Sequence, residues 1–276
     1  MKIIKHSGAI VDFNPEKLKS SLLKSGASEL VVRDILRQLE QEIFEGMSTK
    51  QIYKLAFGLL KKASNSHAAR YNLRQSLELL GPAGFFFEKY VARLFQAEQY
   101  DVQINLTLQG KCVSHEIDVV IEKNNVVSMV ECKFHARREA VSDVKIPMYI
   151  LSRFNDLKEK KFQLFAKKQP LSNCWIVTNN RFSADAIQFG HCSGLNMLSW
   201  DFPLDHNLRT KIDNNHLYPV TCLTTLSLTE KDKLLILDVI LVKEIISHSD
   251  CLEKIGLSPN RIKNVLKEAA ELCSYI

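Results

Sequence analysis

Apolar positions change their period along the chain. Over the first 80 residues they recur at helical spacing. Asn14-Pro15-Glu16 reads as a helix start, with Asn14 as the cap and Pro15 in the first turn, where a missing N–H costs nothing. Leu18, Leu22 and Leu23 supply that helix's apolar stripe. A second helix is expected over residues 28–44. A third follows a cap at Ser48, with Ile52, Leu55, Ala56 and Leu59 on one face, and a fourth covers 66–80. Ahead of these helices, residues 2–4 and 10–13 read as a short hairpin turned at Ser7-Gly8. Gly81-Pro82 closes the unit.

From Ala83 the pattern is different. A helix carries Phe87, Val91, Leu94 and Phe95, and three strand-like segments follow at 100–108, 113–122 and 126–134. Asn124-Asn125 makes a hairpin turn between the last two. A long helical region is expected over 140–168, then a strand at 173–178, a helix at 183–189 and a strand at 195–200. The order α-β-β-β-α-β-α-β describes a mixed α/β architecture. Residues 203–219 are polar and read as a linker. Beyond them 230–246 and 259–273 are amphipathic helices, with a shorter one at 250–255. These shifts divide the chain into segments 1–81, 82–205 and 206–276.

Composition narrows the class. With 276 residues, 46% hydrophobic and 25% charged, the chain is an ordinary globular one. No apolar run reaches a membrane span and no leader pattern opens the chain, so a cytoplasmic protein without a membrane partner is expected. The seven cysteines are scattered, with no C-x-x-C pair, and read as reduced thiols. Net charge is +6, but residues 1–80 and 131–168 each hold +5 and the remainder −4. Both basic regions favour anionic partners.

The chemistry concentrates in one segment. Glu88 lies on the helix beside Val91, Ala92 and Phe95, Asp118 lies on the second strand, and Glu131 and Lys133 lie on the third. Side chains alternate along a strand, so Glu131 and Lys133 share a face with Val127 and Met129. By the same rule Asp118 goes with Glu116 and Val120, and His115 and Ile117 face the opposite layer. A hairpin can bring Asp118 beside Glu131. Carboxylates with one lysine suit a hard cation and a phosphate, as phosphodiester hydrolysis requires.

Residues 84–200 resemble the restriction-endonuclease-like PD-(D/E)XK fold, in its Mrr-type branch. The resemblance is carried by Gly84-x-x-Phe87-Glu88-x-x-Val91-Ala92, Ile117-Asp118-Val119-Val120, Val130-Glu131-Cys132-Lys133 and Trp175-Ile176-Val177-Thr178-Asn179-Asn180-Arg181-Phe182. It implies an α/β/α domain with a central mixed sheet. It also implies Asp118 and Glu131 as ligands of Mg2+ or Mn2+, Lys133 as the catalytic lysine, Glu88 as an outer acidic member, and DNA as partner. Glu116 departs from the small or apolar residues common at its position.

Residues 2–80 are similar to the ATP-cone, a small helical nucleotide-binding domain with a short hairpin. The matching stretches are Ile4 to Leu18, Gly46 to Ile52 and Ala68-Ala69-Arg70-Tyr71. The resemblance implies ATP or dATP as a regulatory ligand and a homo-oligomer. Lys5 and Lys17 would meet phosphates, Asn14 and Thr49 would line the pocket, and His6 and Gly8 would belong to the phosphate-binding turn. A cationic strand, a glycine turn and a helix start make a triphosphate cradle. His6 and Ser7 stand where the family usually has arginine and aspartate. The C-terminal helical tail faintly resembles a helix-hairpin-helix at Leu252 to Pro259. Together these features suggest a metal-dependent DNA endonuclease controlled by adenine nucleotide. A non-catalytic nucleotide-sensing DNA-binding regulator and an oligomerisation protein stand as alternatives.

Overall fold

A computed structural model describes residues 1–5, 7–81 and 84–274. His6, named above for the phosphate-binding turn, and Pro82 at the expected boundary lie outside the described residues. The chain forms two compact units, one of Met1–Leu73 with the chain from Cys222 onward, the other Arg74–Thr221.

In the first unit β1 (Lys2–Ile4) and β2 (Ile10–Asp12) pair antiparallel. Gly8 sits in their turn at φ +81°, a conformation that favours glycine. Helices α1 (Pro15–Leu23), α2 (Glu29–Glu42), α3 (Thr49–Ala63) and α4 (Asn65–Tyr71) follow. Asn14 caps α1 by accepting from the Lys17 N–H at 3.2 Å, and Ser48 caps α3 in a capping box with Gln51. The helix expected over 66–80 is interrupted at Asn72. The next helix, α5 (Leu73–Glu78), begins beyond it.

The second unit is built on a five-stranded mixed sheet. After α6 (Phe85–Ala97) come β3 (Asp101–Gln109), β4 (Ser114–Lys123) and β5 (Val126–Lys133), a three-stranded antiparallel meander. Asn124 and Asn125 both have positive φ, +55° and +61°, as the tight hairpin turn requires. Then follow β6 (Val141–Ser142), α7 (Lys145–Leu157), β7 (Lys161–Leu164), β8 (Lys167–Pro170) and β9 (Asn173–Thr178). β10 (Arg181–Phe182), α8 (Ala184–Cys192) and β11 (Asn196–Leu198) complete the sheet region. The sheet order is β11-β9-β5-β4-β3, with β5, β9 and β11 parallel. One face packs against α7 and α8 through Ile117, Val120, Met129, Ile150, Ile176 and Ala186. On α6, Phe87, Tyr90 and Phe95 are buried, and Phe95 meets Trp175 edge-on at 5.5 Å.

Three expectations are corrected. The helix of 140–168 is only α7, flanked by β6 and by the β7–β8 hairpin. Phe165 and Ala166 turn that hairpin at φ +48° and +62°, which no helix accommodates. The polar stretch 203–219 contains α9 (Leu208–Asn215), whose Leu208 and Ile212 are buried. The helix of 230–246 is two, α10 (Leu228–Ile236) and α11 (Val242–Ser247), separated at Asp238 with φ +61°.

α12 (Asp250–Lys254) and α13 (Pro259–Cys273) end the described chain. α13 packs on α4, the Lys61 ammonium donates to the Thr224 carbonyl at 2.8 Å, and Thr224 Oγ1 donates to Asn65 Oδ1 at 3.1 Å. Buried Glu268 accepts the N–H groups of Thr224 and Thr225 and the Thr225 hydroxyl, so its charge is met by three donors. All seven cysteines are free thiols. No helix among the described residues is long and apolar enough to cross a membrane.

Candidate active site and nucleotide cavity

The acids gather at one end of the sheet. The β4–β5 ladder ends at the Val119–Val130 pair, with Asp118 and Glu131 the next residue of each strand. Asp118 Oδ2 accepts the Cys132 N–H at 2.7 Å. Glu131 is 3% exposed, and Lys133 Nζ donates to its Oε1 at 2.8 Å. Glu131 and Lys133 thus share the face of Met129.

Strict alternation fails at Asp118. Ile117 and Val120 pack in the same cluster although they are three residues apart. Across the β3–β4 pair, Ile104 faces Val119 and Leu106 faces Ile117, while the intervening Asn105 has φ +54°. The ladder is interrupted there, with left-handed Asn105 and Asp118 as the unpaired residues between the two pairs. His115 accordingly reaches α7, with its Nε2 2.8 Å from Asp156 Oδ2.

Electrostatics mark the site. Burial first, and the Glu131 charge second, push Asp118 up to about 7; the Cys132 N–H opposes them. Glu88 is also raised, by burial and then by Glu131 and Glu116. It lies in the first turn of α6, just after Gly84 at φ +88°. Asp118 and Glu131 offer hard oxygen donors, and a divalent cation would relieve their repulsion, so the residues fit such an ion. Among the described residues no three His, Cys, Asp or Glu side chains form a cage.

Several contributors escaped the sequence reading. Arg153 on α7 donates to both Glu131 oxygens at 2.7 Å. Its signal was its position on the Ile146, Ile150, Leu157 stripe, where a charge is out of pattern. Asn179, one residue past Thr178, the register partner of Lys133, clamps the backbone of His135 through two 2.8 Å bonds. Asn180 donates to the Arg137 and Ala140 carbonyls. These two amides fix the loop that follows the Glu-x-Lys strand.

In the first unit, Lys5, Asn14, Lys17 and Thr49 line one cavity of about 270 Å³. Phe13, Tyr53 and Tyr71 also line it, and the two tyrosine rings stack at 4.8 Å. These aromatics were not singled out from the sequence. Gly8 shapes the hairpin turn and is not among the lining residues.

Models of an ATP cone domain, a restriction endonuclease of the Mrr catalytic type, and an AF1548-like C-terminal domain match residues 1–75, 82–201 and 218–273. An uncharacterized protein of Archaeoglobus fulgidus is 31% identical over 183 residues, 66% of this chain and 99% of the relative. The chain belongs to the same family as this relative. The solved structure of AF1548, described as a protein of unknown function, is 29% identical with TM-score 0.57, over 68% of this chain and 97% of that one. The chain therefore carries an ATP cone ahead of a restriction-endonuclease domain and an AF1548-like C-terminal domain.

Proposed function

We propose that the chain is a Mg2+- or Mn2+-dependent DNA endonuclease under the control of ATP or dATP held in the cone. The observation that carries this reading is Asp118 held by the Cys132 N–H at 2.7 Å, between Glu131 and Lys133, with Lys133 bonded to Glu131 at 2.8 Å. The restriction-endonuclease match supports it. A bound divalent cation supplies positive charge for the attacked phosphate and acidifies a water. Asp118 and Glu131 would hold that ion. Lys133 Nζ, with its side chain 26% exposed, is free to turn toward a phosphate oxygen and meet the charge that grows on it. Glu88, raised by its neighbours, is suited to hold a proton at the rim of the site. The Asn179 and Asn180 clamps keep the adjoining loop in register with Lys133.

In the cone, Lys5 and Lys17 suit phosphates, and Phe13, Tyr53 and Tyr71 suit a base. The test is cleavage by the full chain of linear, branched and nicked DNA with Mg2+, alone and with ATP or dATP. Cleavage that requires the metal and changes with nucleotide is expected. Metal-independent cleavage contradicts the metal-dependent reading, and no cleavage of any substrate contradicts it in favour of a non-catalytic DNA-binding regulator.

A further inference from the structure

Glu131 is served by a cation that belongs to the chain itself. Arg153 Nη1 donates to both its oxygens at 2.7 Å, and Nη2 donates to the Glu116 carbonyl. The guanidinium lies 5.7 Å over the Tyr149 ring, and the side chain is 11% exposed. Its seat is incomplete. Nε is buried and has no hydrogen-bond partner. One nitrogen serves both carboxylate oxygens, where the favourable arginine–carboxylate geometry uses two in parallel.

We propose that Arg153 is the resident counter-ion of Glu131, that it competes with the divalent cation for this carboxylate, and that it thereby sets the metal affinity of the site. The proposal rests on the metal-nuclease reading above. A carboxylate this buried needs a positive partner at all times. Lys133 reaches Oε1 alone, so Arg153 covers Oε2. An ionised carboxylate has about four lone-pair sites, enough for Lys133 and a metal ion together once the guanidinium leaves. The orphaned Nε penalises the closed pair, because a buried donor without a partner has lost its water for nothing. Release of Arg153 restores that hydration, which makes the contact exchangeable.

The experiment is an electron paramagnetic resonance titration of the full chain with Mn2+, without DNA. Arg153→Met should bind Mn2+ about tenfold more tightly than the parent, or better, and Arg153→Lys should show a smaller gain. The lysine variant keeps a charge beside Glu131 and serves if the methionine variant does not fold. Unchanged or weaker binding by a folded Arg153 variant overturns the proposal, making Arg153 a residue that merely orients Glu131. Asp118→Asn separates this failure from failure of the metal reading. If Asp118→Asn binds Mn2+ as tightly as the parent, or if neither parent nor Arg153 variants bind it, both ideas fail. If binding depends on Asp118 but not on Arg153, only this proposal fails.

Discussion

At the residue scale, the site was legible where chemistry and alternation coincide. Glu131 and Lys133 share a face as their spacing requires, and they bond to each other. Asp118 was proposed from its type and strand, but the facing of its neighbours departs from strict alternation where the ladder breaks at left-handed Asn105. Arg153 was hidden in a count of basic residues, since a sum of charges does not record which of them point inward. Asp118→Ala or Glu131→Ala should abolish cleavage while the chain still folds. Lys133→Ala should slow it by about 10²–10³-fold, the range seen when one transition-state donor is lost. Single-turnover rates check both. Asp118 also gives a sign for pH dependence. Its folded value, about 7, lies above its ordinary 3.8. Its contribution to stability is therefore fully present below the lower value and is lost as pH rises through the higher. Without metal, the parent should lose thermal stability between about pH 4 and pH 7 relative to Asp118→Asn. Parallel melting curves that show no such divergence would refute the buried, repelled state of this acid. Mn2+ binding should correspondingly weaken as pH falls below about 7, because a proton then competes for the ligand.

At the scale of elements, caps and turns carried most of the information. Asn14, Ser48 and Asn124-Asn125 fixed a helix start, a second helix start and a hairpin, each through a local hydrogen bond or a positive φ. The misreadings share one cause. Residues 161–168 were read as the end of a long helix, yet Phe162 and Leu164 alternate in a strand and Leu164 is buried. Leu208 and Ile212 were too sparse to mark α9 within a polar stretch. The structure also sorts the basic residues around α7. Arg153 and Lys160 are engaged internally, Lys160 with the Gln109 and Gly110 carbonyls, whereas Arg137, Lys145, Lys158 and Lys161 are exposed. We expect the exposed four to contact DNA phosphates. Replacing Lys145 and Lys158 with glutamine should lower the slope of log affinity against log salt by about two, one per contact removed. Anisotropy of a labelled duplex across salt concentrations measures this, and an unaltered slope excludes the surface.

At the scale of the whole molecule, the fold class was legible, but the company kept by the C-terminal helices was not. Lys61 and Asn65 join Thr224, in the chain beyond Cys222, to the cone's helices through hydrogen bonds between segments distant in sequence, and no periodicity announces such a pairing. Control of cleavage by nucleotide requires that ATP or dATP favour one of two global states. We expect those states to differ in self-association, so nucleotide should shift the sedimentation of the parent. Lys5→Ala with Lys17→Ala should remove the shift without unfolding the chain, since neither lysine is buried. A parent that binds no adenine nucleotide would reduce the cone to a structural module. The central claim, that Asp118, Glu131 and Lys133 form a metal-dependent phosphodiesterase centre, is tested most directly by cleavage of supercoiled DNA with Mn2+, comparing the parent with Asp118→Asn prepared identically. The account predicts nicked and linear products from the parent and none from the variant. Equal cleavage by the two, or none by the parent, would contradict it.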